Sequence, residues 1–293
     1  MRKCAFLTTD HLDGFVSDDE LAFEPLRILG WDVEEVSWRD ESRKPVLWDQ
    51  YEAVIIRTTW DYHKEPDSFL RTLEAIEVSA AELINPLWMV RWNLHKSYLK
   101  DLEERGVRIV ATRWGNGLDD KSLREIFESL QSPEIVIKPA IGASADDTFR
   151  IHRDSVPRIA DHLFDTFRER DFLAQPFLQS IVDEGEYSLF YFAGDHSHTI
   201  LKTPKEQDFR VQEEHGGDIR AVTVEDDLVE RGRRLLDHLN IVPLYARVDY
   251  ARDADGDLAL MELELIEPAL YFRNAPHAAT SFASAFDRWM SRD

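Results

Sequence analysis

The chain has 293 residues, 43% of them hydrophobic, with a formal net charge of −22 and a single cysteine, Cys4. That length suffices for one large or two modest domains with sizeable cores. The acidic balance lacks the positive footprint that nucleic-acid binding needs, and one cysteine excludes an internal disulfide and a cysteine-based zinc site. No run approaches the roughly 18 apolar residues of a membrane helix. Arg2 and Lys3 precede only residues 4–7 before polar residues begin, which is not a signal-peptide pattern. A cytoplasmic protein with neither membrane nor nucleic-acid partners is expected.

Residues 3–9 read as a first strand, with Cys4 as a small buried apolar group. Residues 21–29 read as a helix ending at Gly30, and 31–36 alternate as a second strand. Residues 51–57 form a continuous apolar run, as in a strand covered on both faces. Residues 67–79 are helical by period, and 83–86 close the segment. Strands alternating with helices predict a small parallel α/β domain over residues 1–90. Ligands of such sheets bind beyond the carboxyl ends of the strands, where loop 57–62 offers Arg57, Thr58, Thr59, Trp60, Asp61 and Tyr62. That loop is either a co-substrate contact or a polar loop around a buried Trp60. His11 and Asp13 are weaker candidates for the same pocket.

Residues 93–105 read as one helix and 107–112 as a strand, followed by a helix over 118–130. Residues 135–139 are a strand that ends in Lys138 and Pro139. A lysine closing an apolar strand is costly to bury alone, so it either meets an anion or reaches solvent by snorkelling. The small-residue turn 142–146, with Ser144 at its centre, can present backbone N–H groups to phosphate oxygens, although it is not a Walker loop. A strand over 148–152 and a helix over 154–168 follow, and a second domain is expected over residues 91–171.

The third expected domain, residues 172–293, opens with a strand over 172–178 interrupted by Pro176. Residues 187–193 and 196–202 form a hairpin around Gly194 and Asp195. Ser188 and His198 read as surface positions of that hairpin. His215 beside Gly216 and Gly217 is a candidate for ordering a loop. Helices are expected over 227–240 and 282–290.

The most informative stretch is 246–271, two apolar-rich runs around an acidic turn, hence a β-hairpin. Side chains alternate faces along a strand, so Glu262 and Glu264 point one way while Met261, Leu263 and Leu265 point the other. Asp249 can come opposite the two glutamates, and Glu267 lies just beyond, where it either faces a substrate or merely flanks Pro268. Carboxylates sharing a face repel. The stretch is either a solvated acidic face or a site for a hard cation such as Mg2+, which prefers oxygen ligands. A calcium loop starting at Asp253 is disfavoured, because Leu258 stands at the sixth position, where such loops need glycine.

Taken in order, these residues resemble the ATP-grasp superfamily, in particular its glutathione synthetase and RimK-like branch. The match rests on Asn93 and Lys96; Ile137, Lys138 and Pro139 with the small turn; Gln175, Pro176, Phe177 and Leu178; Gly185, Glu186, Tyr187 and Ser188; Leu201 and Lys202; Arg210 before Gly216 and Gly217; Arg247, Val248 and Asp249; and Met261, Glu262, Leu263 and Glu264. It covers residues 92–268, while the N-terminal domain matches only in type. The strand pair around Glu262, with Arg247 to Asp249, is also similar to the cyclo-ligases of cycloserine biosynthesis within that branch.

The resemblance implies an α/β and α+β protein: two α+β lobes holding ATP, preceded by a small parallel α/β domain. It implies that Lys96, Lys138 and the Ser144 turn contact ATP phosphates. Gln175, Phe177 and Leu178 would meet adenine, and Glu186 would lie near the ribose. Lys202, Arg210 and Arg247 would be the catalytic cations. Asp249, Glu262 and Glu264 would hold Mg2+ or Mn2+, with Glu264 standing where many members have asparagine. The implied activity is an ADP-forming ligase that converts a small, amino-acid-like acid to an acyl phosphate for attack by an amine or another nucleophile such as a thiol, within one molecule in a cyclo-ligase. Homodimers are common in the branch. A phosphotransferase on the same scaffold and a nucleotide-binding module without turnover are the competing readings.

Overall fold

The computed structural model describes residues 1–39, 48–206 and 208–292. Its first sheet contains β1 (Arg2–Thr8), β2 (Trp31–Ser37), β3 (Ala53–Thr58) and β4 (Glu82–Ile84), in the order β2-β1-β3-β4 and all parallel. Period-two alternation splits its core between two faces. Cys4, Phe6, Ala53 and Ile55 face one side, and Ala5, Leu7, Val54 and Ile56 the other. The second face is covered by α2 (Pro66–Glu77) through Phe69, Leu73 and Ile76.

The first face is shared by α1 (Phe23–Ile28) and by the last helix of the chain. The intervening helices are α3 (Leu87–Leu94), α4 (Tyr98–Glu104), α5 (Asp120–Leu130), α6 (Val156–Thr166), α7 (Gln179–Asp183) and α8 (Asp226–Leu236), and the last is α9 (Ala278–Trp289). Phe282 and Phe286 of α9 pack on Phe6 and Trp31, with ring centroids 6.3 and 4.7 Å apart. Asp287 accepts from Trp31 Nε1 at 3.0 Å and pairs with Arg2.

The second sheet is antiparallel, with β5 (Arg113–Asn116), β6 (Glu134–Pro139), β7 (Phe149–His152) and β8 (Asp171–Pro176) in the order β5-β8-β6-β7. Helices α5 and α6 supply its core through Leu123, Phe127 and Leu163. The expected junction at 171/172 falls just inside β8, whose partners are β5 and β6, so strand pairing moves the change of sheet beyond Pro176. The junction at 90/91 falls inside α3, whose Met89 packs with Tyr98, Leu99 and Leu102 of α4 against the third sheet.

That third sheet is antiparallel, in the order β11-β10-β9-β12-β13. Its strands are β9 (Glu186–Phe192), β10 (Asp195–Thr203), β11 (Asp218–Ala221), β12 (Tyr245–Arg252) and β13 (Leu258–Glu264). The informative hairpin is β12–β13, and its register sets Asp249 opposite Glu262 and Arg247 opposite Glu264. Asn85, fully buried, ties the first sheet to it: Nδ2 donates to the carbonyls of Tyr245 (3.0 Å) and Leu265 (2.8 Å), and Oδ1 accepts from Leu244 N (2.8 Å).

Three expectations need correction. Residues 107–112 are not a strand. They touch β13 through a single bridge, Ile109 to Leu260, and their apolar side chains are spent on packing. The helix expected over 93–105 breaks at His95, whose backbone is extended, and restarts at Tyr98. Ser188 and His198 are not surface residues, being 0% and 6% exposed. Strand β9 lies between β10 and β12, so the hairpin carrying them is interior to the sheet.

Candidate active site

A deep cleft opens between the second and third sheets, beneath the carboxyl ends of the first. Lys96, Lys138, Ser144, Gln175, Phe177, Leu178, Glu186, Lys202, Arg210, Arg247, Asp249, Glu262 and Glu264 all line it. These thirteen residues therefore face one cavity. His11 and Asp13 do not line it; Phe15 and Val16 of the same loop do.

Most of the cations and carboxylates neutralise one another. The helix break at His95 lets Lys96 N donate to Ala140 O at 2.8 Å, and turns the Lys96 side chain onto Glu262. Lys202 Nζ, 3% exposed, lies 2.5 Å from Glu186 Oε1 and 3.6 Å from Asp249 Oδ2. Burial pushes the Lys202 amine down, but Asp249 and Glu186 outweigh it and hold it above its ordinary value. Arg247 Nε lies 3.1 Å from both Asp249 oxygens, and the same guanidinium bonds Glu264. Burial raises the Asp249 carboxyl, but Arg247 and Lys202 outweigh that and bring it to about 2, helped by a hydrogen bond from Ser188 Oγ.

Lys138 is the exception. Among the described residues it has no ion-pair partner, and burial pushes its amine below its ordinary value. An amine so placed calls for an anion. The adjoining turn is held in left-handed backbone at Ser144, Ala145 and Asp147, with φ of 52°, 55° and 52°. His63 Nε2 meets Asp146 Oδ2 at 3.0 Å, and His215 Nε2 reaches Ser144 O at 3.2 Å. His215 thus ties the loop before Gly216 to this turn.

Two expected residues sit differently from the rest. Arg210 forks onto Asp208 (Nε–Oδ1 3.1 Å, Nη2–Oδ2 2.9 Å) rather than joining Lys202 and Arg247. Glu186 is engaged by Lys202. At the end of β8, the Gln175 side chain donates to Thr112 Oγ1 at 3.0 Å, and the Arg150 guanidinium lies 3.6 Å over the Phe177 ring.

The carboxylates suit a divalent cation by their chemistry: Asp249, Glu262 and Glu264 offer oxygen alone. Burial first, then the charges of Glu262 and Asp249, push Glu264 up to about 7 against the pull of Arg247, a sign of surplus negative charge. Among the described residues no three acidic side chains form a closed cage for an ion. Mg2+ does not require one, since it leans on one or two carboxylates and takes water and phosphate for the rest. The acidic turn is no calcium loop: Arg108 occupies it, 2.7 Å from Asp253 and 2.8 Å from Asp255.

Sequence reasoning left the role of loop 57–62 open. Trp60 Nε1 donates to Glu267 O at 2.9 Å, and Tyr62 lines the cleft beside Glu267. Glu267 is 8% exposed and lines the cleft; burial and then Glu264 push its carboxyl well above the usual range. Of the two readings the sequence left for Glu267, facing a substrate or flanking Pro268, its side chain lining the cleft is compatible with the first.

Two lobes closing on a polar cleft behind a parallel α/β domain define an ATP-grasp ligase, and this protein is one. Residues 4–85 match the family model described as the N-terminal domain of D-cycloserine synthetase DcsG. The chain is 30% identical over 277 residues to the cycloserine biosynthesis protein DcsG of Streptomyces lavendulae, covering 89% of this chain and 90% of that one. The crystal structure of D-cycloserine synthetase DcsG matches with a TM-score of 0.85 at 26% identity, over 98% of this chain and 99% of that one. The ATP-grasp ligase PsnB, solved with a minimal precursor, Mg and ADP, shares the fold at 13% identity, with a TM-score of 0.65 over 99% of this chain and 98% of that one. The chain belongs to the DcsG family.

Proposed function

We propose that this ATP-dependent ligase activates the carboxylate of a small amino acid as an acyl phosphate and closes a ring by attack of a nitrogen in the same molecule. The product named for its relative, D-cycloserine, has one ring N–C(O) bond that such a step would make. Opening that bond leaves O-amino-D-serine, which carries acid and nucleophile together. A carboxylate oxygen of this substrate attacks the γ-phosphorus of ATP, and the bond to ADP breaks. The aminooxy nitrogen then attacks the acyl carbon, phosphate leaves with the bonding pair, and the nitrogen gives up a proton.

Here the chain's own groups position and neutralise. Lys96, Lys138 and the Ser144 turn take the phosphates, while the β8 end at Gln175, Phe177 and Leu178 meets adenine and Glu186 lies towards the ribose. Lys202 and Arg247 face the transferring phosphoryl group, with Arg210 on the covering loop. Asp249, Glu262 and Glu264 would hold Mg2+, which would supply positive charge to offset that of the phosphates. By strand pairing the small lobe ends near Pro176.

One observation carries this reading: Lys138, an amine without an anionic partner among the described residues, lines the same cleft as the opposed carboxylates Asp249 and Glu262. The test is ADP release with Mg2+ and O-amino-D-serine, with the product identified by mass spectrometry. A parallel reaction uses D-serine and hydroxylamine. Cycloserine from the first or a hydroxamate from the second supports the proposal. A stable phosphorylated product insensitive to hydroxylamine would instead make the protein a phosphotransferase, and nucleotide binding without ADP release would make it a binding module.

A further inference from the structure

Glu267 is a buried carboxylate for which the mechanism above has no use. It lines the cleft at 8% exposure and has no ion-pair partner among the described residues. The nearest cations are already committed, Lys96 to Glu262 and Arg247 to Asp249 and Glu264. Leaving a carboxylate buried and unpaired is costly, yet the N-terminal domain fixes the backbone that carries this one. Trp60 Nε1 holds Glu267 O at 2.9 Å. Arg57 Nη2 holds Pro268 O at 3.0 Å, and Arg57 is itself locked by Asp19 at 2.9 and 3.1 Å. The Tyr62 phenol stands beside the carboxylate, whose charge, after burial, pushes it well above its ordinary value. Phe15, packed on Trp60 with centroids 5.3 Å apart, walls the same end of the cleft. A carboxylate held this firmly between aromatic walls suits a cationic group brought by a ligand.

We propose that Glu267 receives the α-ammonium group of the substrate, so that the enzyme selects α-amino acids over simple carboxylic acids. The inference rests on the ligase reading and adds the residue that recognises the amino group. Tyr62, Trp60 and Arg57 are positioning residues that act through Glu267.

The test compares O-amino-D-serine with 3-aminooxypropanoate, the same molecule without its α-amino group, on the full chain. Wild type should prefer the amino acid by about 100-fold in kcat/KM, the upper range for one charged hydrogen bond. Glu267→Gln should cut that preference to below about tenfold, mainly through KM, with the Kd for ADP–Mg2+ unchanged. Tyr62→Phe should lower the preference by a smaller factor, also without loss of nucleotide affinity. An unchanged preference in Glu267→Gln overturns the inference. So does a loss of ADP–Mg2+ affinity, which would place Glu267 among the metal ligands. Should wild type turn over neither compound, the ring-closing reading has failed, and calorimetry on the ADP–Mg2+ form decides the inference separately. D-serine binding weakened about tenfold or more by Glu267→Gln supports it. Equal binding, or none by wild type, overturns it.

Discussion

Replacing Asn93 by leucine would free the strand that carries Glu262 and Glu264. Strand β13 is the last in its sheet, so among the described residues its outer backbone groups have no strand partner. Asn93 fills that role: Nδ2 donates to Leu263 O at 2.8 Å, and Oδ1 accepts from Leu265 N at 2.9 Å. The Tyr98 hydroxyl takes Leu263 N at 2.9 Å. Leu263 and Leu265 are 1% and 0% exposed, so water cannot substitute. Asn93→Leu keeps the volume but leaves one buried carbonyl and one buried N–H unpaired, at about 1–3 kcal/mol each, hence a loss of about 2–6 kcal/mol. Urea unfolding followed by tryptophan fluorescence measures it, provided the m-value is unchanged. The Mg2+ concentration for half-maximal ADP release should rise in parallel, because Glu262 and Glu264 flank the loosened residue. Asn93→Asp should be no better, since it sets a carboxylate against the Leu263 carbonyl. A stability change below about 0.5 kcal/mol, the range of ordinary surface substitutions, would refute the edge-clamp argument.

Lys138→Ala should weaken ATP binding about tenfold or more, as expected for one charge-assisted hydrogen bond; an unchanged Kd by calorimetry would return Lys138 to the status of a packing residue. Glu262→Gln should abolish Mg2+-dependent ADP release while the circular dichroism spectrum stays that of wild type, and full activity would count against the metal assignment. His198 is buried against Phe190, with stacked centroids 4.3 Å apart, and its Nε2 meets Leu270 O at 3.0 Å. Burial lowers its pKa from 6.5 to about 4. Between those values the unfolded chain binds the extra proton, so stability falls as pH falls, by about 2 kcal/mol between pH 7 and pH 5 from this group alone. His198→Gln should remove that part of the pH dependence; identical slopes for variant and wild type would show that His198 does not carry it.

Where alternation met a buried face, the fold was readable from the sequence. Glu262 and Glu264 could be assigned to one side of a hairpin because period two sends Leu263 and Leu265 to the other, but Met261, expected with those leucines, is skipped by an irregularity in the strand pairing and packs instead at the cleft with Leu178 and Val211. The same rule misread residues 107–112, whose apolar side chains pack beneath β13 while their backbone makes only one bridge to it. The β11 sequence, Asp-Ile-Arg-Ala, offers only Ile219 to the core, because an edge strand can be held by its backbone partners, here from β10. Burial of Ser188 and His198 depended on which strands flank β9, which is a property of topology and not of local pattern. Ion pairing was the least legible part. Lys96 and Glu262 are 166 residues apart, and nothing near either announces the other. Arg210 is the converse: its partner Asp208 stands two positions away.

The packing of α9 on the first sheet has a consequence for how the chain comes into being. A ribosome that has finished β4 has made every strand of that sheet, yet Cys4, Phe6, Trp31 and Ile55 still lack Phe282 and Phe286 as their cover. The nascent domain must therefore wait, with a sticky flank, through the synthesis of both lobes. Shortening the protein before Ala278 should yield insoluble material even though every group in the cleft is retained.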